Sequence, residues 1–149
     1  MRWRNTSSSV VEGETVRVRS AGCGTDCGPD DVYRIRAYET SYSVPRFNNS
    51  STQITVLVLQ NPTNDTVGGE IYFTAPSGSQ VGVQPFSLAP KATLVLNTAT
   101  VPGVGGTSGA ITIAHDGRYG DLSGKTVALE PATGFSFDSV LEPRPRPHW

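Results

Sequence analysis

Across residues 52–97 the chain sets short apolar runs against turn residues at nearly even intervals. The runs are 54–59, 71–73 and 94–96. They are separated by Asn61-Pro62-Thr63-Asn64-Asp65, by Pro76-Ser77-Gly78-Ser79 and by Leu88-Ala89-Pro90-Lys91. Short β-branched segments punctuated in this way define an antiparallel sandwich or barrel, because each turn returns the chain before a helix-length apolar stripe can form. No window reads as a long helix. A chain of 149 residues buries about 68–70% of its unfolded surface in one core, so one β domain with short appendages is expected.

The same reading extends outward. Residues 14–20 alternate Val16 and Val18 with Arg17 and Arg19, and residues 31–38 place Tyr33, Ile35 and Ala37 on one face with Arg34 and Arg36 on the other. Both are half-buried strand patterns. Pro45 opens a segment, 45–51, that breaks the pattern. In 52–60, Ile54, Val56 and Val58 share one face and Leu57 and Leu59 the other, which predicts a central strand covered on both sides. In 66–74, Val67, Ile71 and Phe73 face inward, Glu70, Tyr72 and Thr74 outward, and Gly68-Gly69 marks a bulge or a close backbone approach. Further strands are expected at 80–86, 93–97, 110–115, 125–130 and 135–138, with 101–109 as a flexible Gly-rich crossing. The total is nine or ten short strands. The expected organisation is a polar lead-in (1–12), a single sandwich domain (13–141) and a Pro-rich tail or linker (142–149), whose alternate prolines disfavour a sheet ladder.

Leu57-Val58-Leu59-Gln60-Asn61-Pro62-Thr63, then Val67, Phe86-Ser87-Leu88-Ala89-Pro90 and Thr93-Leu94-Val95-Leu96, resemble the immunoglobulin-like β-sandwich modules of bacterial secreted and cell-surface proteins. There, an Asn-Pro turn and a Leu-x-Pro turn bracket the central strands. His115-Asp116-Gly117-Arg118-Tyr119-Gly120 and Ala128-Leu129-Glu130-Pro131 are similar to the closing part of such a module. The resemblance covers about 52–141 and implies an antiparallel immunoglobulin-like sandwich that serves as a spacer, an adhesive stalk or an assembly subunit, with no shared catalytic residues. The widely spaced cysteine pair flanking a buried tryptophan, found in antibody domains, is missing.

Charge narrows the partners. A net charge of −1 with dispersed arginines lacks the concentrated basic footprint of a nucleic-acid surface and the polybasic run of a membrane anchor. No apolar run reaches the length of a membrane span or of a signal-peptide core, so an exported chain would be present in mature or excised form. Cys23 and Cys27 lie in the turn-rich Gly22-Cys23-Gly24-Thr25-Asp26-Cys27-Gly28-Pro29, where two sulfurs four residues apart can meet. A local disulfide, and with it an extracellular or cell-surface location, is the expectation.

Chemical candidates each have a plainer alternative. Asp116 and Asp121, near His115, could form a calcium loop, although turn chemistry explains Asp116-Gly117 without a ligand. Glu39, Glu70 and Glu130 could supply a glycosidase pair, and a small hydrolase is the remote alternative, but no nucleophile elbow or triad context occurs. Neither a catalytic residue nor a cofactor is assigned. Tyr38, Tyr42, Tyr72 and Tyr119 fall outside the predicted core or in loops, and exposed aromatics of this kind can grip a sugar ring. Asn5, Asn48, Asn49 and Asn64 begin matches to the N-glycosylation pattern, which arise readily by chance in a Ser/Thr-rich chain. The favoured function is a structural or adhesive module that pairs with other copies or neighbouring modules, with residues 1–20 as a candidate donor strand. A carbohydrate-binding module is the alternative. Because 52–97 reads as core, local function is expected in the cysteine loop, the 103–109 crossing or the tail.

Overall fold

The computed structural model describes residues 40–143. The expected strands at 14–20 and 31–38, Cys23 and Cys27, Tyr38 and Glu39, and the tail from residue 144 lie outside the described residues. Within them the chain runs β1 (Ser41–Asn48), β2 (Ile54–Gln60), β3 (Val67–Thr74), β4 (Gln80–Leu88), β5 (Thr93–Asn97), a 3₁₀ turn (Thr98–Thr100), β6 (Ser108–His115), β7 (Ser123–Glu130), β8 (Phe135–Val140) and β9 (Glu142–Pro143). These form two antiparallel sheets, five strands in the order β4-β3-β6-β1-β9 and four in the order β5-β2-β7-β8. The all-β antiparallel sandwich expected from the sequence is the observed architecture.

Strict alternation builds the core. Val67, Ile71 and Phe73 of β3 face inward together with Ile111 and Ile113 of β6 and Val44 and Phe47 of β1, opposite Leu57 and Leu59 of β2. The Phe47 and Phe73 rings meet edge to face with centroids 5.4 Å apart, the geometry favoured by the ring quadrupoles. β3 follows its sequence pattern residue by residue. Gly68-Gly69 is a close approach rather than a bulge, since the β3 register is unbroken there. A Cβ on Gly69 would lie 2.2 Å from the Ala114 carbonyl oxygen and 2.6 Å from the Phe86 ring, so only glycine fits.

Three expectations change. β1 continues through Pro45 to Asn48: its register with β6 shifts between Val44 and Phe47, so Pro45 and Arg46 occupy an exposed irregularity where a missing N–H costs no ladder bond. The 101–109 crossing is anchored, with Val101 and Val104 buried in the core and Asn49 exchanging backbone bonds with Thr107 (2.9 Å) and Gly106 (3.0 Å). The start of the tail, Glu142 and Pro143, pairs with Ser43 and Tyr42.

Two buried asparagines fix the crossings between sheets. The Asn61 amide nitrogen donates to the carbonyls of Asp65 (2.7 Å), Leu88 (3.0 Å) and Ala89 (3.0 Å), while its oxygen accepts from Thr63 N (3.0 Å) and Thr63 Oγ1 (2.8 Å). One side chain thereby joins the β2–β3 connection to the β4–β5 connection, the two turns marked by Asn-Pro and Leu-x-Pro. Asn49 does the same near the other end of β2: its Oδ1 accepts from Thr55 N and Thr98 Oγ1, both at 3.0 Å. Asn49 is buried with its oxygen engaged, which removes it from the accessible glycosylation acceptors, whereas Asn64 is exposed.

Replacing Asn61 by alanine strands buried carbonyls and a backbone N–H, each costing about 1–3 kcal/mol when unpaired and partly recovered by water. Asn61→Ala is expected to lower unfolding stability by about 2–4 kcal/mol, and Asn64→Ala to change it by less than about 0.5 kcal/mol, as measured by urea titration.

Candidate functional site

The His115-to-Leu122 connection, singled out by sequence for its carboxylates, packs against β1. Tyr42 stacks on His115 with ring centroids 5.6 Å apart and planes 18° from parallel, and its hydroxyl donates to the Leu122 carbonyl at 2.7 Å. His115 is buried, and its Nδ1 accepts from Gly117 N at 3.2 Å. The two aspartates serve different backbone groups. Asp116 accepts from Gly68 N at 2.8 Å and returns its own N–H to the Gly68 carbonyl at 2.9 Å, which extends the β3–β6 ladder by a side chain. Asp121 accepts from Arg118 N at 2.6 Å across its own turn. Among the described residues no group of three or more His, Cys, Asp or Glu side chains could hold a metal ion.

The tyrosines do not form a common surface. Tyr42 was expected outside the core, yet it is buried at 8% exposure, because residues 41–48 form β1, a strand the sequence pattern did not show, which points that ring inward. Tyr72 is half-buried on the outer face of β3, where its hydroxyl donates to the Glu70 carboxylate. Tyr119 is the exposed ring of the described three, at 46%. Glu70 and Glu130 sit in different sheets. A depression of about 440 Å³, open to solvent, lies where Pro45 and Arg46 meet the β3–β4 turn and the start of β6. Arg46 is the charged side chain lining it.

The surface that stands out is that of the four-stranded sheet. Its outer face carries Val56, Val58 and Val127 half-buried beside the more exposed Val95, Leu129 and Val140. The sequence predicted β2 covered on both sides. It is internal to its sheet, but among the described residues no third layer lies over its outer face. The ion pair of Lys125 with Asp138 neutralises charge on the same face.

Among the described residues β8 is the edge of this sheet, paired to β7 alone. Phe137 lies opposite Ala128, which lies opposite the inward-facing Thr55, so Phe135 and Phe137 project from the inner side of the sheet. They nevertheless remain 64% and 72% exposed. Among the described residues the opposing sheet ends in β9 (Glu142–Pro143). The sequence had marked 135–138 as a strand, and alternation alone cannot show whether a facing layer covers its rings.

Neither a family model nor a curated protein matches this chain. Among solved structures it is similar to the crystal structure of Thermotoga maritima 1070, with a TM-score of 0.60, 12% identity, and alignment over 68% of this chain and 91% of that one. At that identity the likeness supports the sandwich fold.

Burial pushes the Tyr42 phenol above its ordinary value of 10.0, and Tyr119 and Asp121 push the same way against an opposing backbone hydrogen bond from Gly120. The folded chain therefore holds this proton more tightly than the unfolded chain. The resulting stability is complete below about pH 10 and is lost as pH rises through the folded value. Tyr42→Phe is expected to cost about 1–2 kcal/mol at pH 7 through the lost bond to Leu122. The gap between parent and variant should narrow above pH 10, as read by urea unfolding across that range.

Proposed function

We propose that this chain is a non-catalytic structural or adhesive module of an extracellular assembly, a surface-protein repeat or a filament subunit that joins other copies or neighbouring modules by β-strand addition. The observation that carries this reading is the distribution of exposed apolar side chains: they gather on one sheet and its β8 edge, at Val95, Leu129, Phe135, Phe137 and Val140. Exposed apolar surface of this kind favours protein–protein contact, and an edge strand with one partner among the described residues offers main-chain donors and acceptors to another strand.

The immunoglobulin-like character suggested by the Asn-Pro and Leu-x-Pro turns is part of the same proposal, supported by the Asn61 bonds that join those turns. The polar groups on which a catalytic or cation site would draw are already engaged: Asp116 and Asp121 hold backbone N–H groups. The extracellular setting rests on the hydroxyl-rich sequence and the Cys23–Cys27 loop.

Native mass spectrometry of the full chain over a concentration series is expected to show multiples of the single-chain mass. Single chains at every concentration would contradict the assembly reading.

A further inference from the structure

Edge strands in soluble proteins are usually guarded by lysine, proline, a bulge or extreme shortness. β8, Phe-Ser-Phe-Asp-Ser-Val, has none of these over six residues. Its register with β7 is unbroken from Phe135 to Val140. Its one charge, Asp138, is paired within the sheet to Lys125, so an approaching strand meets little net charge. By contrast, the other edge of this sheet, β5, is followed at once by the 3₁₀ turn that closes against β2. The five-stranded sheet ends in β4, which carries Pro85 and a register shift against β3, and in β9, which lies along Tyr42 and Ser43.

We infer that β8 is the assembly edge and that its occupant is β8 of a second copy, paired antiparallel about a two-fold axis at Ser136. This rests on the assembly reading above and names the surface that carries it. Over residues 135–137 the strand is self-complementary in that register. Residues whose numbers sum to an even value keep the inner faces of the two sheets continuous, because side chains alternate with period two. With the axis at Ser136, Phe135 of each copy lies opposite Phe137 of the other, and Asp138 runs past the start of the partner strand, beside its β7–β8 turn at Gly134. The four rings, each exposed in a single copy, then cover one another, and no like charges meet. Aromatic cross-strand pairs are among the more favourable on a sheet, and an isologous contact of this kind closes as a dimer. Moving the axis to Asp138 would instead set two carboxylates face to face, which is unfavourable.

A near-neutral chain, at −1 overall, opposes such association only weakly.

The test is sedimentation of the full chain beside Phe135→Ser/Phe137→Ser. Both rings are exposed in a single copy, so the variant should keep the parent's melting curve while its association weakens by about tenfold or more. Ser136→Cys provides a second reading: under mild oxidation it should cross-link into dimers that the parent chain and Ser77→Cys do not form. Unchanged association in the double variant, with deletion of residues 1–20 abolishing it, would overturn the β8 pairing and leave the assembly reading standing. A parent chain that sediments as a monomer throughout would overturn both.

Discussion

The crossing between the two sheets depends on a single buried amide. Asn61 has no solvent exposure, and both polar atoms of its side chain are used to tie the β2–β3 connection to the β4–β5 connection. A backbone that leaves one sheet and enters the other must turn through the edge of the core, where its carbonyls lose water. Without an internal donor each would carry a desolvation cost comparable to a lost hydrogen bond. An asparagine side chain supplies two donors and an acceptor in one plane, and its position in the turn fixes how far β2 and β5 overlap. Asn49, with Thr98 and Thr55, repeats the solution toward the other end of β2. The apolar faces of β2 and β3 can meet only in the register that these two residues hold.

That register has a consequence at the opposite margin. Among the described residues the five-stranded sheet ends in β9 and the four-stranded sheet in β8, whose two rings stay exposed. The sandwich is thus tied by buried turns on one side and carries exposed apolar rings at the β8 margin on the other. Polar side chains elsewhere are consumed by architecture: Asp116 continues a ladder, Asp121 holds a turn, and Tyr42 and His115 stack beneath the β6–β7 connection. What remains unspent is apolar area and main-chain hydrogen bonding along β8. Those are the means by which strands recognise strands.

Much of the architecture was legible in the sequence. The alternation in β3 matched its burial pattern throughout, and the turn residues around Pro62, Gly78 and Pro90 set the boundaries of β2 to β5. β1 was hidden because Pro45 normally ends a strand; only its register shift with β6 allows the strand to pass. The crossing at 101–109 read as mobile because its glycines are obvious, while the two valines that pin it are single residues without a period. Tyr42 could not be assigned to the core until β1 existed. Asn61 was recognised as a turn residue, but its three carbonyl partners are up to 28 residues away, and side-chain reach is invisible to local pattern. The exposure of Phe135 and Phe137 depends on where the facing sheet stops, which is a property of topology rather than of any window.

Hydrogen–deuterium exchange resolved by strand, on the full chain at low and high concentration, tests the role of β8 most directly. The account predicts that amides in residues 135–140 exchange fast when dilute and gain protection as concentration rises, while those of β2 and β3 stay protected throughout. Exchange in 135–140 that is independent of concentration, with protection gained along another strand, would contradict it.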